Sequence, residues 1–383
     1  MSVTAAQGFR AAAAAAGLKS TGALDVALVV NDGPGSAAAA VFTSNRCKAN
    51  PVLWSEQVAS DGVVRAVVLN SGGANCYTGP QGFAVTHATA ELVAELVGVD
   101  AGDVVVCSTG LIGEQLDGER LSAGVTTAAS ALSGQGGADA ATAIMTTDTV
   151  SKQSAVAGDG WTVGGMAKGA GMLAPALATM LVVLTTDADV DAGVCDAALR
   201  AATRVTFDRL DSDGCQSTND TVLLMASGAS GVHPSQDEFA DAVRSVCYDL
   251  AQQLMADAEG SEHDIAIEVV NAATEDEAVD VGRAVARSNL VKTAVFGRDP
   301  NWGRILASVG TTSAAFDPAD LDVTVNGVRV CASGQPDEPR DLVDLGERAV
   351  SVTIDLKAGD ASATIWTNDL TVAYVHENSA YSS

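Results

Sequence analysis

The chain reads as a layered α/β protein with helices outside and sheets inside. Three observations predict this. Strand and helix patterns alternate through the first half. Apolar residues make up 47% of the chain but aromatics only 4%, so the core is one of small, closely packed side chains. Past about residue 320 the pattern becomes β-rich, with alternating strands bounded by turn signals. At 383 residues the chain has room for two or three lobes with ample core.

Residues 25–30, 39–43, 63–70 and 103–108 read as strands, and 83–97 carries Val85, Ala88, Leu92, Val93 and Leu96 at helical spacing. Residues 179–186 form an apolar, β-branched run suited to a sheet buried on both faces. A helix follows over 191–203. The clearest helix is 237–258: Phe239, Val243, Val246, Leu250 and Leu254 form one stripe, Ser235 and Glu238 a capping box, and Gly260 the stop. Thr274 with Glu277 opens another helix, ending near Ser288. Asn326-Gly327 between two valine-rich runs predicts a type I′ hairpin. Residues 350–356 and 361–367 read as a further strand pair, and 334–340 as a surface loop.

Composition excludes several classes of function. A formal net charge of −27 would repel nucleic acid and anionic membrane. Seven cysteines without a CxxC pair point to a reducing cytoplasm, and all seven read as small core residues. The alanine run at 11–16 is too short and too weakly apolar for a signal-peptide core, and Lys19 follows it closely. No apolar stretch approaches the roughly 20 residues that span a bilayer. A soluble cytoplasmic enzyme is the expectation. The four histidines show no metal-ligand spacing, and neither a GxSxG elbow nor a phosphate loop is present. Gly169-Ala-Gly171 begins a loose dinucleotide fingerprint, but Pro175 and a strand follow it, so the context fails.

The most informative bond joins Ala178 to Thr179. Gly164, Gly165, Gly169, Gly171 and Pro175 argue against regular structure before it, and the buried run begins after it. Cleavage there would place a threonine hydroxyl beside its own α-amine, whose pKa of roughly 7.7–8 suits a general base. A small Ala178 leaves room for that hydroxyl to attack the preceding carbonyl. On the local pattern alone, a loop entering a core strand explains the same residues.

The word Trp161-Thr-Val-Gly-Gly-Met-Ala-Lys-Gly-Ala-Gly-Met-Leu-Ala-Pro-Ala-Leu-Ala-Thr-Met-Leu181 closely resembles the self-cleavage signature of the ornithine acetyltransferases. Further blocks match the same family in order: Thr43-Ser-Asn-Arg46, Asn70-Ser-Gly-Gly-Ala-Asn75, Ser108-Thr-Gly110, Thr146-Thr-Asp-Thr149, Ser217-Thr-Asn-Asp220, Asp257-Ala-Glu-Gly260, Asp299-Pro-Asn-Trp-Gly-Arg304 and Asn378-Ser-Ala-Tyr-Ser-Ser383. The resemblance covers essentially the whole chain and is nearest to actinobacterial members. It implies an α-β-β-α sandwich with two stacked mixed sheets between helices, made as a self-cleaving precursor. The products would be an N-terminal chain 1–178 and a C-terminal chain 179–383, assembled as a heterotetramer of two of each. The implied reaction moves acetyl from N2-acetylornithine to glutamate, in arginine biosynthesis, through an ester on Thr179. No cofactor is implied; acetyl-CoA is implied as a second acetyl donor, although no basic phosphate-cradling loop decides for it.

By the same resemblance Thr109 and Gly110 form the oxyanion hole, whereas alone they read as a plain turn after a strand. Substrate contacts fall to Thr146 (with Thr147 the neighbouring alternative), Lys168, Thr179, Glu259, Asn378 and Ser383. Lys168 in a glycine-rich loop suits a carboxylate. Glu259 reads as sitting at a helix C-terminus, where the helix dipole disfavours a carboxylate unless a cation meets it. The block at 299–304 reads as structural support near the site, with Trp302 buried and Arg304 pairing Asp299. Other classes remain open: an N-terminal-nucleophile amidase or aminopeptidase resolving the ester with water, a non-catalytic binding protein, and a member specialised for another pathway.

Overall fold

The computed structural model describes residues 2–172 and 180–380. Strands β1 (Phe9–Ala14), β2 (Val26–Asn31) and β3 (Ala38–Phe42) open the chain. Helix α1 (Asn50–Val58) leads to β4 (Ala66–Ser71), α2 (Gly79–Val97) and β5 (Val104–Thr109). Helices α3 (Gly118–Ser130) and α4 (Gly137–Ala143) precede the paired β6 (Lys152–Ala157) and β7 (Thr162–Lys168). Next come β8 (Leu181–Thr186), α5 (Ala192–Val205), β9 (Thr221–Ala226) and α6 (Gln236–Ala256). Then follow β10 (Asp264–Ala272), α7 (Glu275–Ala286), α8 (Asn289–Phe296) and α9 (Trp302–Val309). The last elements are β11 (Asp322–Val325), β12 (Val328–Ala332), β13 (Gln335–Pro336), β14 (Ala349–Asp355), β15 (Ala361–Asn368) and α10 (Val372–Ala380).

Two mixed sheets stack face to face, in orders β1-β2-β4-β5 and β3-β9-β8-β7-β6. Alternation along each strand makes the layers. On β2, Ala27 and Val29 enter the core between the sheets, where they join Met166, Leu181, Val183, Leu223 and Met225 of the second sheet. Val26, Leu28 and Val30 point the other way, onto Ala90 and Val93 of α2 and Leu121 and Val125 of α3. Val182, Leu184, Val222 and Leu224 leave the second sheet outward, onto Leu199 of α5 and Val243, Val246 and Leu250 of α6. The result is the expected α-β-β-α sandwich. A third sheet, β13-β12-β11-β14-β10-β15, builds a separate core with α7, α8 and α9. The edge of β5 is covered by α1, because Trp54 donates its indole N–H to the Val104 carbonyl and Ser55 its hydroxyl to that of Val106.

Several local signals are realised. Ser235 and Glu238 form a complete capping box on α6, and Asn326 and Gly327 take φ of 45° and 82° in the β11–β12 hairpin. Thr274 caps α7 by accepting the Glu277 N–H. Other expectations need correction. Glycines 164 and 165 do not break structure: they lie inside β7, antiparallel to β8. A Cβ at 165 would stand 2.7 Å from Leu184 Cδ2 and 3.1 Å from Leu250 Cδ1, so glycine serves close approach of α6 to the sheet. The alanine run falls largely in β1, an edge strand. Strands β14 and β15 do not pair with each other; β10 lies between them, parallel to β14 and antiparallel to β15. Trp302 is only half-buried, Arg304 donates to the Leu290 carbonyl, and Asp299 faces Arg340 at 3.9 Å instead. Cys47 and Cys215 are exposed, unlike the other five.

Gly165→Ala should therefore destabilise the protein by about 1–3 kcal/mol through overpacking. A thermal-midpoint comparison checks this, and an unchanged midpoint would show that Leu184 and Leu250 yield freely.

Candidate active site

The stacking brings strand ends from both sheets to one place. Parallel β4 and β5 end side by side, pairing Ser71 with Thr109. Strand β7 ends at Lys168, opposite Leu181 at the start of β8, and β9 starts beside it. A cavity of about 340 Å³ opens at these ends. Thr109, Gly110, Thr146, Thr147, Lys168, Glu259 and Asn378 all line it. Every expected site residue within the described part of the chain is thus on one wall or another. Thr146 and Thr147 both face it, so the choice between them stays open. Ala178, Thr179 and Ser383 lie outside the described residues.

Side-chain amides and hydroxyls stitch the oxyanion candidates in place. Ser108 donates to Asn70 Oδ1 at 2.6 Å, and Asn70 Nδ2 donates to the Gly73 carbonyl at 3.1 Å. Asn219 Nδ2 donates to the carbonyls of Ala74 and Ser108 at 2.6 and 2.8 Å. Gly110 has φ +131°, and a Cβ on it would stand 2.5 Å from the Gly73 nitrogen. Only glycine fits there.

Lys168 lies in a strand and not in a loop. It ends β7, is 1% exposed, and donates from Nζ to Thr109 Oγ1 at 3.3 Å. Burial pushes its ammonium pKa down, the charge of Asp148 pulls it back and Lys152 lowers it further, leaving it below the ordinary lysine value.

Asp148 is the hub. Its Oδ1 accepts from Lys152 Nζ and from the Gly169 N–H, both at 2.7 Å, and its Oδ2 accepts from the Thr146 N–H at 3.0 Å. Lys152 Nζ also donates to Asp257 Oδ2 at 2.6 Å, and Asp257 receives the Thr149 N–H at 3.0 Å. Burial raises the Asp148 carboxyl, but the charges of Lys168 and Lys152 and the hydrogen bonds outweigh it, so its pKa lies below the ordinary value.

Glu259 lies beyond the end of α6, in the following turn, not in the helix itself. Its N–H donates to the Ala170 carbonyl at 3.0 Å, and Asn378 of α10 donates to its Oε2 at 3.0 Å. Asp220, fully buried, accepts the Met180 N–H at 3.1 Å, and burial pushes its carboxyl well above the ordinary range. The block at 299–304 contributes nothing to the cavity lining.

Asp148, Ser217, Thr218, Asn219 and Asp220 stand in family-like blocks of the sequence that do not by themselves give these residues a part in the site. Ser217, Thr218 and Asn219 line the cavity. The one local signal was Lys152 four residues after Asp148.

The sequence pattern of the ArgJ family matches residues 10–383. The arginine biosynthesis bifunctional protein ArgJ of Streptomyces coelicolor is 66% identical over 383 residues, all of both chains. That of Thermobifida fusca is 61% identical, again over all of both chains. The chain belongs to the ArgJ family. Among solved structures, a chain of the ornithine acetyltransferase of Mycobacterium tuberculosis complexed with ornithine is 57% identical, with a TM-score of 0.45. The match covers 47% of this chain and 96% of that one. No helix among the described residues is long and apolar enough to cross a membrane.

Asp148→Ala should cost about 3–5 kcal/mol, because it leaves two buried lysines short of a carboxylate. Since the folded Asp148 pKa lies below the unfolded value of about 3.9, its contribution is present above that pH. It is lost as pH falls through the folded value. Acid titration of stability should show the wild type losing more than Asp148→Asn below about pH 4. Parallel acid curves would remove Asp148 from the hub.

Proposed function

We propose that this ArgJ family member is a self-cleaving acyltransferase that carries acetyl from N2-acetylornithine to glutamate through Thr179. The observation that carries this reading is the convergence of six expected site residues on one cavity, Thr109, Gly110, Thr146, Lys168, Glu259 and Asn378. Residues 173–179 connect Met172, which lines that cavity, to Met180, which Asp220 holds. The names of the curated relatives agree with a role in arginine biosynthesis.

In this mechanism the precursor cuts itself before Thr179, leaving chains 1–178 and 179–383. The cut need not part them, because β7 on one chain pairs with β8 on the other over 163–168 and the inter-sheet core draws on both. As the resemblance implies, we take the assembly to contain two of each chain. The new α-amine takes the proton of the Thr179 hydroxyl as its oxygen attacks the acetyl carbonyl. The Thr109 hydroxyl and Gly110 N–H receive the developing oxyanion. Ornithine leaves as the amine, taking that proton, and an acetyl ester stays on Thr179. Glutamate then attacks the ester through its own neutral amine, the acyl–oxygen bond to Thr179 breaks, and the proton lost by the attacking nitrogen passes through the α-amine to the Thr179 oxygen as N-acetylglutamate departs.

Thr146, Lys168, Glu259, Asn378 and Ser383 are the substrate contacts in this reading. A space of about 340 Å³ is of the size that takes a small-molecule ligand, and with one nucleophile serving both partners, donor and acceptor would visit it in turn. Acetyl-CoA would enter as a second donor by the same ester. An amidase reading differs in one step only, with water in place of glutamate.

On denaturing electrophoresis the purified protein should give two bands, and the second should begin Thr-Met-Leu on N-terminal sequencing. Thr179→Ala should remain a single chain of 383 residues and transfer no acetyl. An active enzyme that remains one uncut chain would defeat the reading.

A further inference from the structure

Lys168 and Thr109 come from different sheets and meet under the cavity, with Nζ and Oγ1 3.3 Å apart. Both are at least 98% buried, so neither swings freely into solvent. An ammonium has three N–H donors and no acceptor, whereas a hydroxyl has one hydrogen and two lone pairs. With Lys168 charged, Thr109 Oγ1 therefore accepts this bond and keeps its hydrogen for another partner. A neutral Lys168 gains a lone pair that competes for that hydrogen.

We propose that Lys168 is a positioning residue acting through Thr109: its ammonium occupies the acceptor side of the hydroxyl and directs the hydroxyl hydrogen at the oxyanion. This rests on Thr109 being an oxyanion donor, as proposed above, and adds what makes it one. No proton leaves Lys168 in the step; its charge orients and polarises the Thr109 O–H, and the oxyanion collapses as the leaving amine departs. The groups facing Lys168 come from every side of the site. They are Asp148 before β6, Lys152 on β6, Asp220 before β9, and Glu259 after α6. Three carboxyls and one competing ammonium thus set its charge state. Lys152 spends its own donors on Asp148, Asp257 and the Val150 carbonyl, which leaves Lys168 as the cation beside Thr109.

Burial lowers the Lys168 pKa and Asp148 only partly restores it, so the switch in hydroxyl direction falls below the ordinary lysine range. Catalysis through Thr109 should then fade as pH rises through that value.

The test uses fully processed wild type, Lys168→Met, Thr109→Ala and the double variant, with kcat and KM measured for N2-acetylornithine. Each single change should lower kcat by roughly 10²-fold, the mark of an interaction made in the transition state; KM should stay within about threefold in Thr109→Ala and rise in Lys168→Met, which also loses its substrate contact. The double variant should be no more than about threefold slower than Thr109→Ala, since the two act as one unit. Multiplicative losses would overturn the proposal while leaving Thr109 as a donor. An unchanged kcat in Lys168→Met with only KM raised would do the same and leave Lys168 a substrate contact and nothing more. An unchanged kcat in Thr109→Ala would instead overturn the oxyanion assignment itself. Should Lys168→Met fail to fold or process, the pH profiles of wild type and Thr109→Ala decide. The proposal expects an alkaline fall in kcat in wild type, below the ordinary lysine range, that Thr109→Ala lacks. The same fall in both enzymes would overturn it.

Discussion

A single buried carboxylate, Asp148, holds three parts of the site in register. It joins the Thr146 backbone, the Gly169 backbone just past β7, and the ammonium of Lys152 on β6. Through Lys152 and Asp257 it reaches the turn after α6, where Glu259 stands. A lone buried charge would cost far more than it returns, so the cluster is stable only with all its partners present. Asn70 and Asn219 hold the oxyanion candidates on the other side of the cavity.

The sandwich supplies the frame for this cluster. Small inward side chains such as Ala11, Ala27 and Ala38 let the two sheets stack closely, which places the end of β5 against the end of β7. Glycines continue the theme at the cavity: Gly110 lies against Gly73, and a Cβ on Gly171 would fall 2.5 Å from Glu259 Oε1. A core of larger residues would push these ends apart. Composition, with few aromatics and much alanine, is therefore tied to the site as well as to stability.

Local chemistry was legible in the sequence wherever one segment decides the outcome. The Asn326-Gly327 turn and the Ser235–Glu238 cap each depend on a few adjacent residues, and the run at 181–186 carries its buried character in its own side chains. The α-β-β-α layers followed from the family resemblance, not from periodicity. What was not legible depends on partners distant in the chain. Gly164 and Gly165 look like breakers until α6 packs above them, and β10 separates β14 from β15 by a non-local pairing. Asp148 shows its part only when Thr146, Gly169 and Lys152 converge. Lys168 reads as a loop cation in the sequence because the same glycines hide the strand that buries it.

The central claim is that one threonine holds the acetyl group between donor and acceptor. Its most direct test is the intact mass of the processed enzyme after mixing with N2-acetylornithine in the absence of glutamate. The account predicts a single added acetyl on the chain that begins at Thr179, discharged when glutamate is supplied. Sustained acetyl transfer to glutamate with no acetyl ever found on that chain would contradict it.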